Sequence, residues 1–123
     1  MRVLALLLVL GGCAAVDDSA QEDLTRELAG RAAGAAQNCI SANQNQAFQA
    51  VDRSTLVLRA SDAIWVNRLG GNCPGLRPMS TIIVETFSGQ YCRGDRFRTI
   101  EAGSSIPGAT CVLAEFVPYR APR

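Results

Sequence analysis

Asn72 to Asp95 reads NCPGLRPMSTIIVETFSGQYCRGD, with a cysteine near each end. Cys73-Pro74-Gly75-Leu76 and Arg77-Pro78 put two prolines and a glycine into six residues, which makes a fixed loop. Thr81-Ile82-Ile83-Val84-Glu85-Thr86-Phe87 then carries a run of β-branched side chains, so it reads as the strongest strand of the chain. Ser88-Gly89 is a two-residue turn signal into Gln90-Tyr91-Cys92, and Arg93-Gly94-Asp95 is a second turn. The tripeptide Arg-Gly-Asp matches an integrin-binding motif, but three residues match readily by chance and these suit a bend in any case.

The flanking segments extend the pattern. Ala47 to Val51 reads as a first strand, and Asp52-Arg53-Ser54 as a turn. Thr55 to Ala60 follows, with Leu56, Leu58 and Ala60 on one face. Ser61-Asp62 closes a hairpin into Ala63 to Asn67, where Ile64 and Val66 share one face and Trp65 takes the other. Phe97 to Ile100 and Cys111 to Val117 are further strands, separated by the polar loop Ala102 to Thr110. The pattern predicts a mainly β fold, a small antiparallel barrel or curled sheet of about six strands. A β domain of about eighty residues buries a modest core, so cross-links are expected to matter.

The N-terminus has a different texture. Met1-Arg2, the apolar run Val3 to Leu10 and Gly11-Gly12 follow the charge, apolar, small order of an export signal. An eight-residue run is too short to span a bilayer as a helix. Leu10-Gly11-Gly12-Cys13 resembles the lipobox of bacterial lipoproteins, which implies lipidation of Cys13 as the first mature residue. The alternative is ordinary cleavage after Ala14 or Ala15. Alanine at position 14, where aspartate would imply retention at the inner membrane, points that resemblance to the outer membrane. The expected organisation is a signal peptide over 1–12, a lipid anchor and helical tether over 13–38, a β domain over 39–119 and a tail over 120–123. Within the tether, Ser19 to Glu22 fits a capping box, and a helix is expected from about Ala20 to Ala33. Its apolar face is thin, which suggests loose docking. The Gly30-x-x-x-Gly34 spacing of membrane helix pairs sits among charged residues and carries no weight here.

Charge and cysteine usage bound the chemistry. Twelve arginines face eleven acids, with no lysine and no histidine. Residues 39–123 hold nine arginines and six acids, a balance too mild for a nucleic-acid footprint. With Cys13 assigned to lipid, Cys39, Cys73, Cys92 and Cys111 remain, an even set that reads as two disulfides in an oxidising compartment. Zinc is disfavoured, because the gaps are 34, 19 and 19 residues and no histidine is present. Of three connectivities, Cys73–Cys92 and Cys39–Cys111 are expected. The first closes a strand-turn-strand excursion, and the second ties the first residue of the domain to its last strand.

Cys39-Ile40, Val51 to Leu56, Asn67-Arg68-Leu69, Cys73-Pro74-Gly75-Leu76, Cys92-Arg93-Gly94-Asp95 and Cys111-Val112-Leu113 follow one another as in a family of small exported proteins of Gram-negative bacteria. That family is known only as a domain of unknown function. The resemblance runs from about Cys39 to Phe116 and implies the four-cysteine frame and an exported location. It implies no activity and no catalytic residue.

Absence of histidine removes Ser-His-Asp and Cys-His machinery, and absence of lysine removes Schiff-base chemistry. No cofactor is implied. A carboxylate-dependent hydrolase is the alternative function, with Asp62, Glu85, Asp95 and Glu101 as its available acids. The favoured reading is a non-catalytic envelope module, attached to a membrane through its lipid or soluble in the periplasm if unlipidated. Its expected partner is an envelope protein or an anionic ligand. Arg68, Arg77, Arg93, Arg96 and Arg98 form the candidate patch, with Trp65 and Tyr91 as contact surface; the alternative is that the arginines are ordinary solvated charges and Trp65 is core.

Overall fold

The structure is a computed structural model, and it describes residues 15–43, 45–86 and 88–123. The segment expected to be an export signal, and Cys13, lie outside the described residues. The element order is α1 (Ala15–Leu28), β1 (Ala32–Ala33), β2 (Cys39–Ser41), β3 (Phe48–Asp52), β4 (Thr55–Arg59), β5 (Ile64–Arg68), β6 (Thr81–Val84), β7 (Gln90–Cys92), β8 (Arg96–Ile100), β9 (Thr110–Val112) and β10 (Phe116–Arg120). The strands form three antiparallel sheets, ordered β1-β10-β5-β4-β3, β2-β7 and β6-β8-β9. Among the described residues they make curled sheets and no closed barrel. Among the described residues no helix is long and apolar enough to cross a membrane.

Both hairpins expected in the first half form. Arg53-Ser54 links β3 to β4, and the Asp52 carboxylate accepts the Ser54 N–H at 2.8 Å, the local bond that makes aspartate a turn residue. Ser61-Asp62 lies at the tip between β4 and β5, closed by Ala60 N–H to Ala63 C=O at 2.9 Å. Alternation then divides the five-stranded sheet into two buried faces. Phe48, Ala50, Leu56, Leu58 and Phe116 pack in a main core with Leu76, Phe97 and Leu113 from beyond the sheet. Val51, Val57, Ile64 and Val66 face the other way and pack under the helix.

That second core corrects the expectation of a loosely docked tether. Leu24 is 2% exposed, and Ala20 and Leu28, one turn to either side of it, pack against the same cluster. The helix begins earlier than expected, so Ser19 lies inside it and is no cap. It ends earlier too. Gly30 adopts φ +78°, the left-handed conformation that stops a helix, and Arg31 N–H returns to the Leu28 carbonyl at 3.0 Å. The chain then lays β1 on the edge of β10. A Cβ on Gly34 would lie 3.0 Å from the Pro118 ring, and its N–H bonds the Pro118 carbonyl at 2.7 Å. The glycine at 34 therefore serves close backbone approach.

The second half departs further from the expected pairing. β6 pairs with β8, whereas β7 pairs with β2, so Ser88-Gly89 does not close a β6–β7 hairpin. It steers the chain towards β2, with Ala42 N–H bonding the Gly89 carbonyl at 3.0 Å. Cys39 and Cys92 thereby stand directly opposite one another, Cα atoms 4.0 Å apart, and are disulfide-bonded. Cys73 joins Cys111 across a Cα separation of 5.9 Å. The four cysteines are paired as expected in number, but neither expected partner is correct. Cys73–Cys92 presupposes that β7 folds back on β6, and Cys39–Cys111 that the start of the domain meets its last strand; instead β2 pairs with β7.

The expected last strand, Cys111 to Val117, is two strands with a break. Asn67, fully buried at 0% exposure, accounts for it. Its amide donates to the Ala114 carbonyl at 2.7 Å and accepts from the Ala114 N–H at 2.9 Å. A side chain thus replaces a strand neighbour at the point where the chain passes from the three-stranded sheet to the five-stranded one.

Candidate binding surface

The outward face of the β6-β8-β9 sheet collects the sequence-predicted arginines only in part. On β8, Phe97 and Thr99 point into the core, so Arg96 and Arg98 point out. Arg98 pairs with Ile83 on one side and Thr110 on the other, and its Nε donates to the Thr110 hydroxyl at 3.2 Å. Arg96 pairs with Val112, and across from it the Glu85 N–H bonds the Arg96 carbonyl at 3.0 Å. Ile83 and Val112 are 44% and 52% exposed. The face is therefore two guanidinium groups set among two uncovered aliphatic side chains, with Glu85 at its margin.

Arg93 is exposed in the turn that leads into β8. Arg68, at the end of β5, and Arg77, in the loop before β6, stand exposed on other elements. Among the described residues none of these five arginines lies within ion-pair distance of a carboxylate. The two aromatic residues do not join the patch. Tyr91 packs edge-on against Phe48 with ring centroids 4.9 Å apart. Trp65 is half-buried on the core side of the five-stranded sheet, and the Arg120 guanidinium lies 5.6 Å from its ring centroid.

The Arg93-Gly94-Asp95 tripeptide is part of this frame. Gly94 has φ +92°, and the Asp95 carboxylate accepts the Cys92 N–H at 2.8 Å. That carboxylate closes its own turn, so the motif has a structural use.

The four acids of the alternative reading are distributed over separate elements. Asp62 is in the β4–β5 turn, Glu85 at the end of β6, Asp95 in the β7–β8 turn and Glu101 after β8. Among the described residues no cluster of three metal-ligating side chains exists. Asp62 lines a cleft with no second carboxylate, and the shallow cleft beside Glu101 is shared with Arg77 and Met79.

The cleft beside Asp62 was not anticipated. It is about 370 Å³ and lies between the β4–β5 hairpin tip and the β2–β7 ribbon. Gln37, Asn43, Gln46 and Gln90 line it together with Trp65. A signal was present in the sequence, since residues 37–49 hold seven asparagines and glutamines. Their convergence with Trp65 depends on β7 pairing with β2, which local pattern does not give.

The model of a family of unknown function, DUF6491, matches residues 1–119. The chain belongs to this family. No curated protein matches the chain, and no solved structure matches it.

Proposed function

We propose that this member of the family is a non-catalytic binding module of the bacterial cell envelope, exported and held at the outer membrane by lipid on Cys13. Its contact face is the outward side of the β6-β8-β9 sheet, and its partner is an envelope protein with an acidic patch. The carrying observation is the placement of Arg96 and Arg98, without ion-pair partners among the described residues, between the uncovered Ile83 and Val112. Arginine with exposed aliphatic area is the composition of protein contact surfaces, where the guanidinium supplies charge and direction and the aliphatic groups supply desolvation. Two solvent-facing cations attract an acidic partner in a salt-dependent way.

The full chain, in detergent with its disulfides intact, is to be used as bait on envelope extract beside an Arg96→Ser/Arg98→Ser variant. A protein retained by the native chain at low salt, and lost both in the variant and at high salt, supports the reading. A partner held equally by both chains overturns the assignment of this face.

A further inference from the structure

We infer that the cleft between the β4–β5 hairpin tip and the β2–β7 ribbon is a binding site for a neutral saccharide of one or two rings. Its volume, about 370 Å³, is in the range of small-ligand sites. Its lining is amide-rich, with Gln37, Asn43, Gln46 and Gln90 converging from three segments of chain. Among the described residues the side-chain amides of Gln37, Gln46 and Gln90 make no hydrogen bond within the protein, whereas the Asn43 amide oxygen accepts the Asn45 N–H. An amide carries donor and acceptor side by side, which matches neighbouring sugar hydroxyls, each of them donor and acceptor at once.

Trp65 supplies the second element of sugar recognition. Its indole is a flat apolar plate with one N–H donor, suited to the C–H face of a pyranose ring. The lining contains one acid, Asp62, and no cation; the nearby Arg120 guanidinium lies 5.6 Å from the Trp65 ring centroid and is not part of the lining. None of the five patch arginines borders it. The walls are also fixed in place. The Cys39–Cys92 disulfide cross-links the β2–β7 ribbon, and β5 is hydrogen-bonded on both sides. Pre-formed walls lower the ordering cost of binding a small polar ligand.

Trp65 is the single tryptophan of the chain and lines this cleft, so tryptophan fluorescence comes from this site. The full chain, disulfides intact and in a sugar-free detergent, is titrated with cellobiose, with N,N′-diacetylchitobiose and with trialanine. A saturable change with at least one disaccharide is expected, with half-saturation at about 1 mM. Gln46→Ala and Gln90→Ala, whose side chains make no internal hydrogen bond, should each weaken it about fivefold while leaving the thermal unfolding midpoint unchanged. No saturable response to either disaccharide, a response that both variants retain in full, or a response to trialanine alone would each overturn the assignment.

Discussion

Two buried polar side chains show how differently single residues contribute. Asn67 and Thr99 are both almost fully enclosed. Asn67 has both ends of its amide bonded to Ala114, whereas the Thr99 hydroxyl has no partner among the described residues. Replacing Asn67 by leucine leaves the Ala114 N–H and C=O facing an apolar group, at an expected cost of about 2–4 kcal/mol. Thr99→Val keeps the shape and removes an unpaired hydroxyl, so it should be neutral or stabilising by up to about 1 kcal/mol. Urea unfolding of the oxidised protein measures both, and equal losses in the two variants would contradict this account. In the sequence Asn67 is only the polar end of an apolar strand, and nothing local marks it as the residue that breaks the chain at Ala114. That Arg96 and Arg98 share a face follows from strand alternation, whereas their meeting with Ile83 and Val112 depends on the pairing of β8 with β6 and β9.

At the scale of elements, α1 is joined to the sheet by packing and by charge. Leu24 is its main buried side chain, and Leu24→Ala should cost about 2–4 kcal/mol from lost burial and the cavity left behind. Arg59 of β4 grips the Glu27 carboxylate with Nε and a terminal nitrogen, both at 2.7 Å, and also bonds the Gln49 amide. The hydrogen bond from Arg59 holds the Glu27 carboxyl below its ordinary value, and the same bond raises Arg59. A carboxyl whose folded value is depressed stabilises the fold above its unfolded value and loses that contribution as pH falls through the folded one. The pair is partly solvated, so Glu27→Gln should cost only about 0.5–1 kcal/mol near pH 7. Stability curves of variant and native protein should converge as pH drops below about 4, and a constant gap down to pH 2 would exclude the linkage. The hairpins β3–β4 and β4–β5 were legible because two-residue turns and alternation are local signals. The docking of α1 was not, because three apolar residues look thin until the valine-rich back of the sheet is known to face them.

The whole molecule is governed by contacts between segments distant in sequence, and there the cysteines decide most. Residues 39, 73, 92 and 111 pair first with third and second with fourth, so the two disulfide loops overlap and each spans part of the other. A pairing argument built on neighbouring strands fails here because β7 leaves β6 for β2, a choice made by the long-range fit of Ile40 and Tyr91 to the core and unmarked in local pattern. With partners 53 and 38 positions apart in sequence, each cross-link removes loop entropy from the unfolded chain equivalent to about 4 kcal/mol. Losses of that size exceed what a domain this small holds in reserve, so full reduction is expected to unfold it. The order of reduction follows from burial. Cys39 and Cys92 are both half-buried on a two-stranded ribbon, so both sulfurs of that bridge can be reached, whereas in Cys73–Cys111 only Cys111 is half-buried and Cys73 is 1% exposed. An attacking thiolate must reach a sulfur, so Cys39–Cys92 should open first under limiting reductant. Alkylation and peptide mapping would then recover label on Cys39 and Cys92 while Cys73–Cys111 stays intact. Trp65 fluorescence should change in that same step, since the ribbon that reduction loosens is one wall of its cleft. Label appearing first on Cys73 and Cys111 would mean that the ribbon is the better-protected part of the molecule, contrary to its exposure.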